Sequence, residues 1–277
     1  MRLSFLNKKN ILLLLPLLSL SAVGRAQMTV ASTAGTVKRT PAKKPKPITK
    51  EFSVGARLTS DGYGLYAEKS IVNSNNLKTQ DMFYNTRFFQ VGFEEHKHAK
   101  ETKREFVDQS GSGNKSKPFV FGKVNNFYTL KLGYGFRKMI AGKPEPGTVS
   151  IHWTGVAGLA AGLLKPYYLE ENVPEGAGYV QKSVKYTEET KSYFLNPYYI
   201  IGASGVTKGI GEVQFVPGIH AGTALHFDFA PSKKHVLAVE TGVTGEYYTK
   251  NIMILANQEA KPYFVNLYAA LQLGWRK

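Results

Sequence analysis

The chain has 277 residues, 43% of them hydrophobic and 12% aromatic, so a large apolar surface has to be kept from water. It carries 36 Lys and Arg against 20 Asp and Glu, a formal net charge of +16, and no cysteine. The missing cysteines exclude disulfides, thiolate chemistry and a cysteine-borne lipid anchor.

Arg2, Lys8 and Lys9 precede the apolar run 11–23, and the small residues Gly24 and Ala26 follow it. This pattern reads as a secretory signal peptide over residues 1–26, cleaved before Gln27. The run is shorter than the roughly 20 residues a spanning helix needs. Export makes nucleic acid a poor partner for the positive charge. Residues 27–50 place Lys38, Arg39, Lys43, Lys44, Lys46 and Lys50 among Pro41, Pro45 and Pro47. They read as a disordered, basic, Pro-rich periplasmic linker. Such a tail is either a plain spacer or a contact for anionic lipid, peptidoglycan or another protein. From Glu51 to Lys277 the texture is uniform, which suggests one domain.

Every apolar run beyond the leader is broken by Gly, Thr, Lys, His or Glu. A membrane protein without spanning helices must be a closed barrel, because lipid offers no partner to an unpaired backbone group. The alternation of the chain has the matching period of two. Residues 52–59 and 63–71 read as two strands joined by the turn Ser60-Asp61-Gly62, a hairpin signal. Residues 82–96 are less regular: Arg87 and Phe89 share a face, which implies a bulge or a position at a membrane interface. In 127–137, Tyr128, Leu130, Leu132, Tyr134 and Phe136 oppose Thr129, Lys131, Gly133, Gly135 and Arg137. Residues 149–163, 215–229 and 235–248 repeat the pattern. In the last segment, Tyr263, Val265, Leu267, Leu271, Leu273 and Trp275 fall on one face and Asn266, Gln272 and Arg276 on the other.

These segments predict an all-β, transmembrane, antiparallel up-and-down barrel of eight strands, an even number as single-chain bacterial barrels have. Three connections on the side of the termini are short. On the other side, 97–117, 170–213 and 250–262 are long, as external loops are. Residues 179–186 and 193–202 allow two further strands, giving ten, or extensions above the membrane. A short helix within 197–212 is a further option.

The inward faces collect Arg57, Glu68, Lys131, Arg137, His152, His220, His226, Asp228, Glu240 and Glu246. An eight-stranded barrel is only wide enough for side chains to fill it, and buried charges must pair. The expected arrangement is a salt-bridged plug. The alternative is a narrow ion path or proton-sensitive site built on His220, His226 and Asp228. His220 and His226 are roughly 20 Å apart along a strand and cannot share a metal. His226 and Asp228 could do so with a third ligand, and His96 with His98 forms a weak pair in a solvated loop. No metal, cofactor or catalytic residue is expected. The chain has no G-x-S-x-G, H-E-x-x-H or P-loop pattern, and Gly209-Ile210-Gly211 lacks the strand–turn–helix context of a dinucleotide site. Outward Trp153, Tyr247, Tyr263 and Trp275 are candidate girdle residues.

The stretch Phe121–Tyr128, the corner Leu164-Lys165-Pro166-Tyr167-Tyr168, Pro217-Gly218 with Phe227-Asp228, and the end Leu273-Gly274-Trp275-Arg276-Lys277 carry a resemblance. With Ala26-Gln27 at the end of the leader, the chain resembles small outer-membrane barrels of the OmpA/OmpX type, and more closely barrel proteins of Bacteroidota. The resemblance implies an integral outer-membrane location among lipid and lipopolysaccharide. It also implies an assembly signal at Trp275, although Arg276 and Lys277 follow the aromatic where many such barrels end on it. Some barrels of that phylum are accessory subunits of secretion or assembly machines, which makes a docking role the leading expectation. A small channel or uptake porin is the alternative, and a lipid-modifying enzyme at the rim a weaker one.

Overall fold

A computed structural model describes residues 48–73, 85–105, 116–142, 148–230 and 234–277. The expected leader and all but the last three residues of the expected linker lie outside the described residues. In chain order the elements are β1 Lys50–Thr59, β2 Gly62–Asn73, β3 Asn85–His96, β4 Lys103–Arg104, β5 Phe119–Val120, β6 Asn125–Ala141, β7 Ser150–Pro166, β8 Tyr168–Glu175, β9 Gly178–Lys185, α1 Lys191–Phe194, β10 Ile200–Ala203, β11 Gln214–Asp228, β12 His235–Ile252 and β13 Lys261–Arg276.

Eight of these strands close into one antiparallel barrel in the order β1-β13-β12-β11-β7-β6-β3-β2. Barrel strands that follow each other in the chain are neighbours, and β1 meets β13 through nine rungs from Glu51↔Arg276 to Thr59↔Tyr268. Closure leaves no edge with unpaired backbone groups. The period-2 alternation decides the two faces. On β13, Val265, Leu267 and Leu273 are 69%, 67% and 51% exposed, while Tyr268, Ala270 and Gln272 are 5%, 5% and 0% exposed. The apolar set therefore forms the outer wall and the polar set the interior.

The β1–β2 turn is tighter than the three residues expected, since Thr59 pairs with Gly62 and only Ser60 and Asp61 remain outside the ladder. Gly62 is needed there, because a Cβ would stand 1.8 Å from the Glu95 carbonyl oxygen. The irregular third segment is an unbroken strand. Its pairing with β2 and β6 runs without a register shift, so no bulge lies in β3. Arg87 and Phe89 do share the outward face. Arg87 pairs with Ile71 and Phe136 near the end that holds the termini, where a long basic side chain can reach out of an apolar wall. Residues 82–84 lie outside the described residues.

The segment 170–213 does not enlarge the barrel to ten strands. β8, β9 and β10 form a separate sheet in the order β10-β8-β9. Of the strand expected over 193–202, only its end is extended, and α1 with a turn takes the rest. The helix considered within 197–212 reduces to one 3-10 turn, Ile210–Glu212. A half-buried strand alternates with the same period in any sheet, so the pattern could not say which sheet it joins. What separates this sheet is its own apolar core of Phe119, Leu169, Val184, Phe194 and Ile200.

Candidate functional site

The inward side chains meet in a single buried network running from the end with the termini to the loop end. All ten expected lumen residues are buried, none more than 4% exposed. At the terminal end, Arg276 binds Glu51 through Nε at 2.7 Å and Asp228 through Nη2. Arg137 joins Glu51 at 3.3 Å, Glu68 at 2.8 Å and Glu240 at 3.8 Å. Gln90 and Gln272 each donate to Glu68 at 2.7 Å. Further along, Glu240 accepts from the Tyr268 hydroxyl at 2.8 Å and lies 3.1 Å from His226 Nδ1. The Arg57 guanidinium stands over the Tyr268 ring at 4.2 Å and donates to Glu94 at 3.0 Å. Lys131 Nζ then bridges Glu94 and Glu246, 2.6 Å from each. Glu246 approaches His96 Nε2 at 3.4 Å, and His96 Nδ1 lies 2.8 Å from Asp61 in the hairpin turn.

Inside the barrel, the carboxylates Glu51, Glu68, Glu94, Asp228, Glu240 and Glu246 face the permanent cations Arg57, Lys131, Arg137 and Arg276. His96 and His226 supply further donors to the acidic majority. Each buried charge thus has an opposite charge or hydrogen-bond donor, the condition under which ions tolerate burial. At the loop end the lumen closes on an apolar layer. Phe127, Tyr248 and Phe264 pack with ring centroids 5.1 to 6.0 Å apart, and the His96 ring lies tilted against Phe127 at 5.4 Å. Val120 of β5, Ile252 at the end of β12, and Ile254 and Leu255 just beyond it complete this layer. Gly162 makes room for it: a Cβ there would stand 2.9 Å from Phe127 and 3.0 Å from Tyr248.

Two sequence expectations change. His96 is not in a solvated loop; it ends β3 and is 1% exposed, held by acids that lie 35 residues before it and 150 after it in the chain. His226 and Asp228 do not share a site, since Glu240 engages the first and Arg276 the second. His220 stands apart from both, with Nε2 3.3 Å from the Leu132 carbonyl oxygen. The sequence reading left out Glu51, Glu94 and the lumen tyrosines. The inward parity of β1 and β3 marks the two acids once the strand starts are known.

Glu94, His96 and Glu246 bring one donor atom each within 4.8 Å of one another. That donor set suits a divalent cation, but the Lys131 ammonium already stands between the two carboxylates. The cluster is built around a lysine. At the loop mouth a cleft of about 250 Å³ is lined in part by Asp61, Lys97, His98, Lys261 and Phe264. Burial pushes the Asp61 carboxyl up, but hydrogen bonds with His96, Asn266 and Thr59 outweigh it and hold the group below its ordinary value. The one carboxylate named at the cleft is therefore already engaged.

The aromatic candidates lie on the outer wall in two bands. Trp153 and Trp275 are near the terminal end, each 5.1 Å from a second ring, Phe136 and Phe52 respectively. Tyr247 and Tyr263 are cross-strand partners near the loop end.

No family model and no curated protein matches the sequence. Among solved structures the chain is similar to the N-terminal β-barrel domain of Pseudomonas aeruginosa OprF, at 10% identity and TM-score 0.33, over 83% of this chain and 97% of that one. It is also similar to the attachment invasion locus protein Ail of Yersinia pestis, at 12% identity and TM-score 0.34, over 84% and 100%. Neisserial surface protein A is similar at 10% identity and TM-score 0.31, over 83% and 96%.

Proposed function

We propose that the chain is an integral outer-membrane barrel acting as a non-catalytic structural or accessory subunit, docking other envelope proteins through its loop end or outer wall. The observation that carries this reading is the filled lumen: paired charges occupy its length and an aromatic layer closes its loop end. A filled interior leaves the outside as the working surface.

The outer wall supports the membrane location. Leu58, Leu65, Val91, Leu132, Leu159 and Leu267, from six of the barrel strands and 50 to 69% exposed, belong to an apolar face that runs round the barrel, the kind of exposed patch a soluble monomer avoids. Tyr and Trp at both margins suit the two membrane interfaces. In this orientation the termini and the basic residues before β1 face the periplasm, beside anionic lipid or peptidoglycan, and the loops face lipopolysaccharide. The non-catalytic reading is supported by the placement of the histidines. Of the six histidines, His96, His152, His220 and His226 are buried inside the barrel, away from a lipid-facing rim.

Purification from native outer membrane in mild detergent is expected to retain partner proteins on native gels. A free monomer under all such conditions overturns the docking role. Planar-bilayer recording is expected to show no stable conductance, and reproducible open steps would restore the channel alternative.

A further inference from the structure

The small loop-end sheet buries a carboxyl group that nothing answers. Glu171 sits on β8 between Leu169 and Val173, which point the same way into the core with Phe119, Phe194 and Ile200. It is 0% exposed, and neither carboxyl oxygen has a hydrogen-bond partner. The charged and phenolic groups on the surrounding elements are committed elsewhere or carry no counter-charge. On β9, Lys182 is the direct cross-strand partner of Glu171, but its ammonium turns to Glu175 at 2.7 Å, and Lys185 pairs with Glu212. On α1, Lys191 pairs with Glu188, and Tyr193 packs in the apolar core beside Tyr186, which meets the Phe194 ring, and Tyr167, whose hydroxyl accepts from the Val120 amide. Arg104 of β4 lies over the Phe121 ring, and Tyr179 of β9 contacts Tyr199. β5 and β10 carry no titratable residue. An ionised carboxylate in such a place is very costly and a neutral carboxyl much less so.

We propose that Glu171 makes the β8–β9–β10 sheet a pH-responsive element, closed while the carboxyl is neutral and opened on the β10 side when it ionises. The weak side is visible in the pairing. β8 meets β9 through eight unbroken rungs, but meets β10 through only three, with a register irregularity beside the Glu171↔Ile200 rung. The carboxylate reaches water most easily by parting those three rungs. Burial pushes the Glu171 carboxyl up from 4.5 to about 7. The closed state is then fully favoured below the open-state value and progressively lost as pH rises through about 7. From pH 5 to pH 8 the opening equilibrium shifts by about 70-fold. This element operates whatever partner the barrel serves.

The test is hydrogen exchange by mass spectrometry on the full chain in lipid vesicles at pH 5 and pH 8, corrected for the intrinsic pH dependence of exchange. Protection in peptides covering 168–175 and 200–203 is expected to fall by tens of fold at pH 8, while β6 and β12 stay unchanged. Glu171→Gln is expected to keep both peptides protected at both pH values, and Glu171→Leu provides the same test should the glutamine variant not fold. A wild-type sheet equally protected at pH 5 and 8 overturns the proposal. So does an undiminished pH 8 loss in the variants.

Discussion

Lys131 is the point at which the lumen network can be broken most cleanly. Its ammonium is 2.6 Å from Glu94 and 2.6 Å from Glu246, with all three side chains almost wholly buried. Lys131→Met keeps the volume and removes the charge. Glu94 still has Arg57 at 3.0 Å. Glu246 is left with His96 at 3.4 Å and the Tyr248 hydroxyl, so one carboxylate loses its only permanent cation. Breaking a buried pair in this way costs about 3–5 kcal/mol. With a urea slope of about 2–3 kcal/mol/M, the unfolding midpoint falls by about 1–2.5 M. The assay is urea unfolding of protein folded into lipid vesicles, followed by tryptophan fluorescence and by the gel shift of the intact barrel. The double variant Lys131→Met with Glu246→Gln is expected to regain much of the loss, because it removes both partners instead of stranding one. A single-variant shift below about 0.3 M, well under 1 kcal/mol at the slope above, would refute the view that Lys131 neutralises the two acids.

Three further outcomes are expected. Lys131→Ala vacates the position between Glu94, His96 and Glu246, so this variant, refolded with zinc and dialysed, is expected to retain about one ion per chain by elemental analysis where the parent retains none. Leu132→Arg, on the outward face midway along β6, is expected to cost about 2–4 kcal/mol in a bilayer; a change within about 0.5 kcal/mol, as on a wetted surface, would remove the case for a lipid-facing wall. Asp61→Asn is expected to cost about 1.5–3 kcal/mol at neutral pH through its charged hydrogen bonds. Because the folded state holds Asp61 below its ordinary value, that stabilisation is present above the unfolded value and disappears as pH falls through the folded one. A difference between parent and variant that grows toward acid would contradict the sign.

The barrel was legible because the outer wall and the lumen impose opposite demands on alternate residues. Leu271 and Gln272, or Leu132 and Lys131, report their faces by parity alone. The same rule fails at strand ends. His96 looked like loop because Lys97 and His98 follow it, and its burial depends on Asp61 and Glu246, which only the closed ladder brings beside it. The choice of partners was equally hidden. Arg276 meets Glu51 across the seam where the last strand closes on the first, a pairing of residues 225 apart that no local spacing encodes. The three-stranded sheet was hidden for another reason: its strands alternate like wall strands, and only the second apolar core, drawn from segments as distant as Phe119 and Ile200, assigns them to a separate body.

The polar filling also answers a problem that an apolar filling would leave open. Replacing buried ion pairs by well-packed hydrophobic residues is often neutral or stabilising, so this network is not explained by stability alone. Were the lumen apolar, both faces of each strand would be hydrophobic, and a one-residue slip would put an equally acceptable face on the outer wall. With the present filling, a slip of β13 by one residue would turn Gln272 and Arg276 toward the wall and carry Leu271 and Leu273 into the space between Ser53, Glu68 and Arg137. Each such error strands a charge on the apolar wall and another in the lumen. The ion pairs therefore specify, on the seven barrel strands that carry them, which way the strand faces and in which register it closes, and the lumen is spent on that task. This is the physical reason to look for the protein's interactions on its loops and wall.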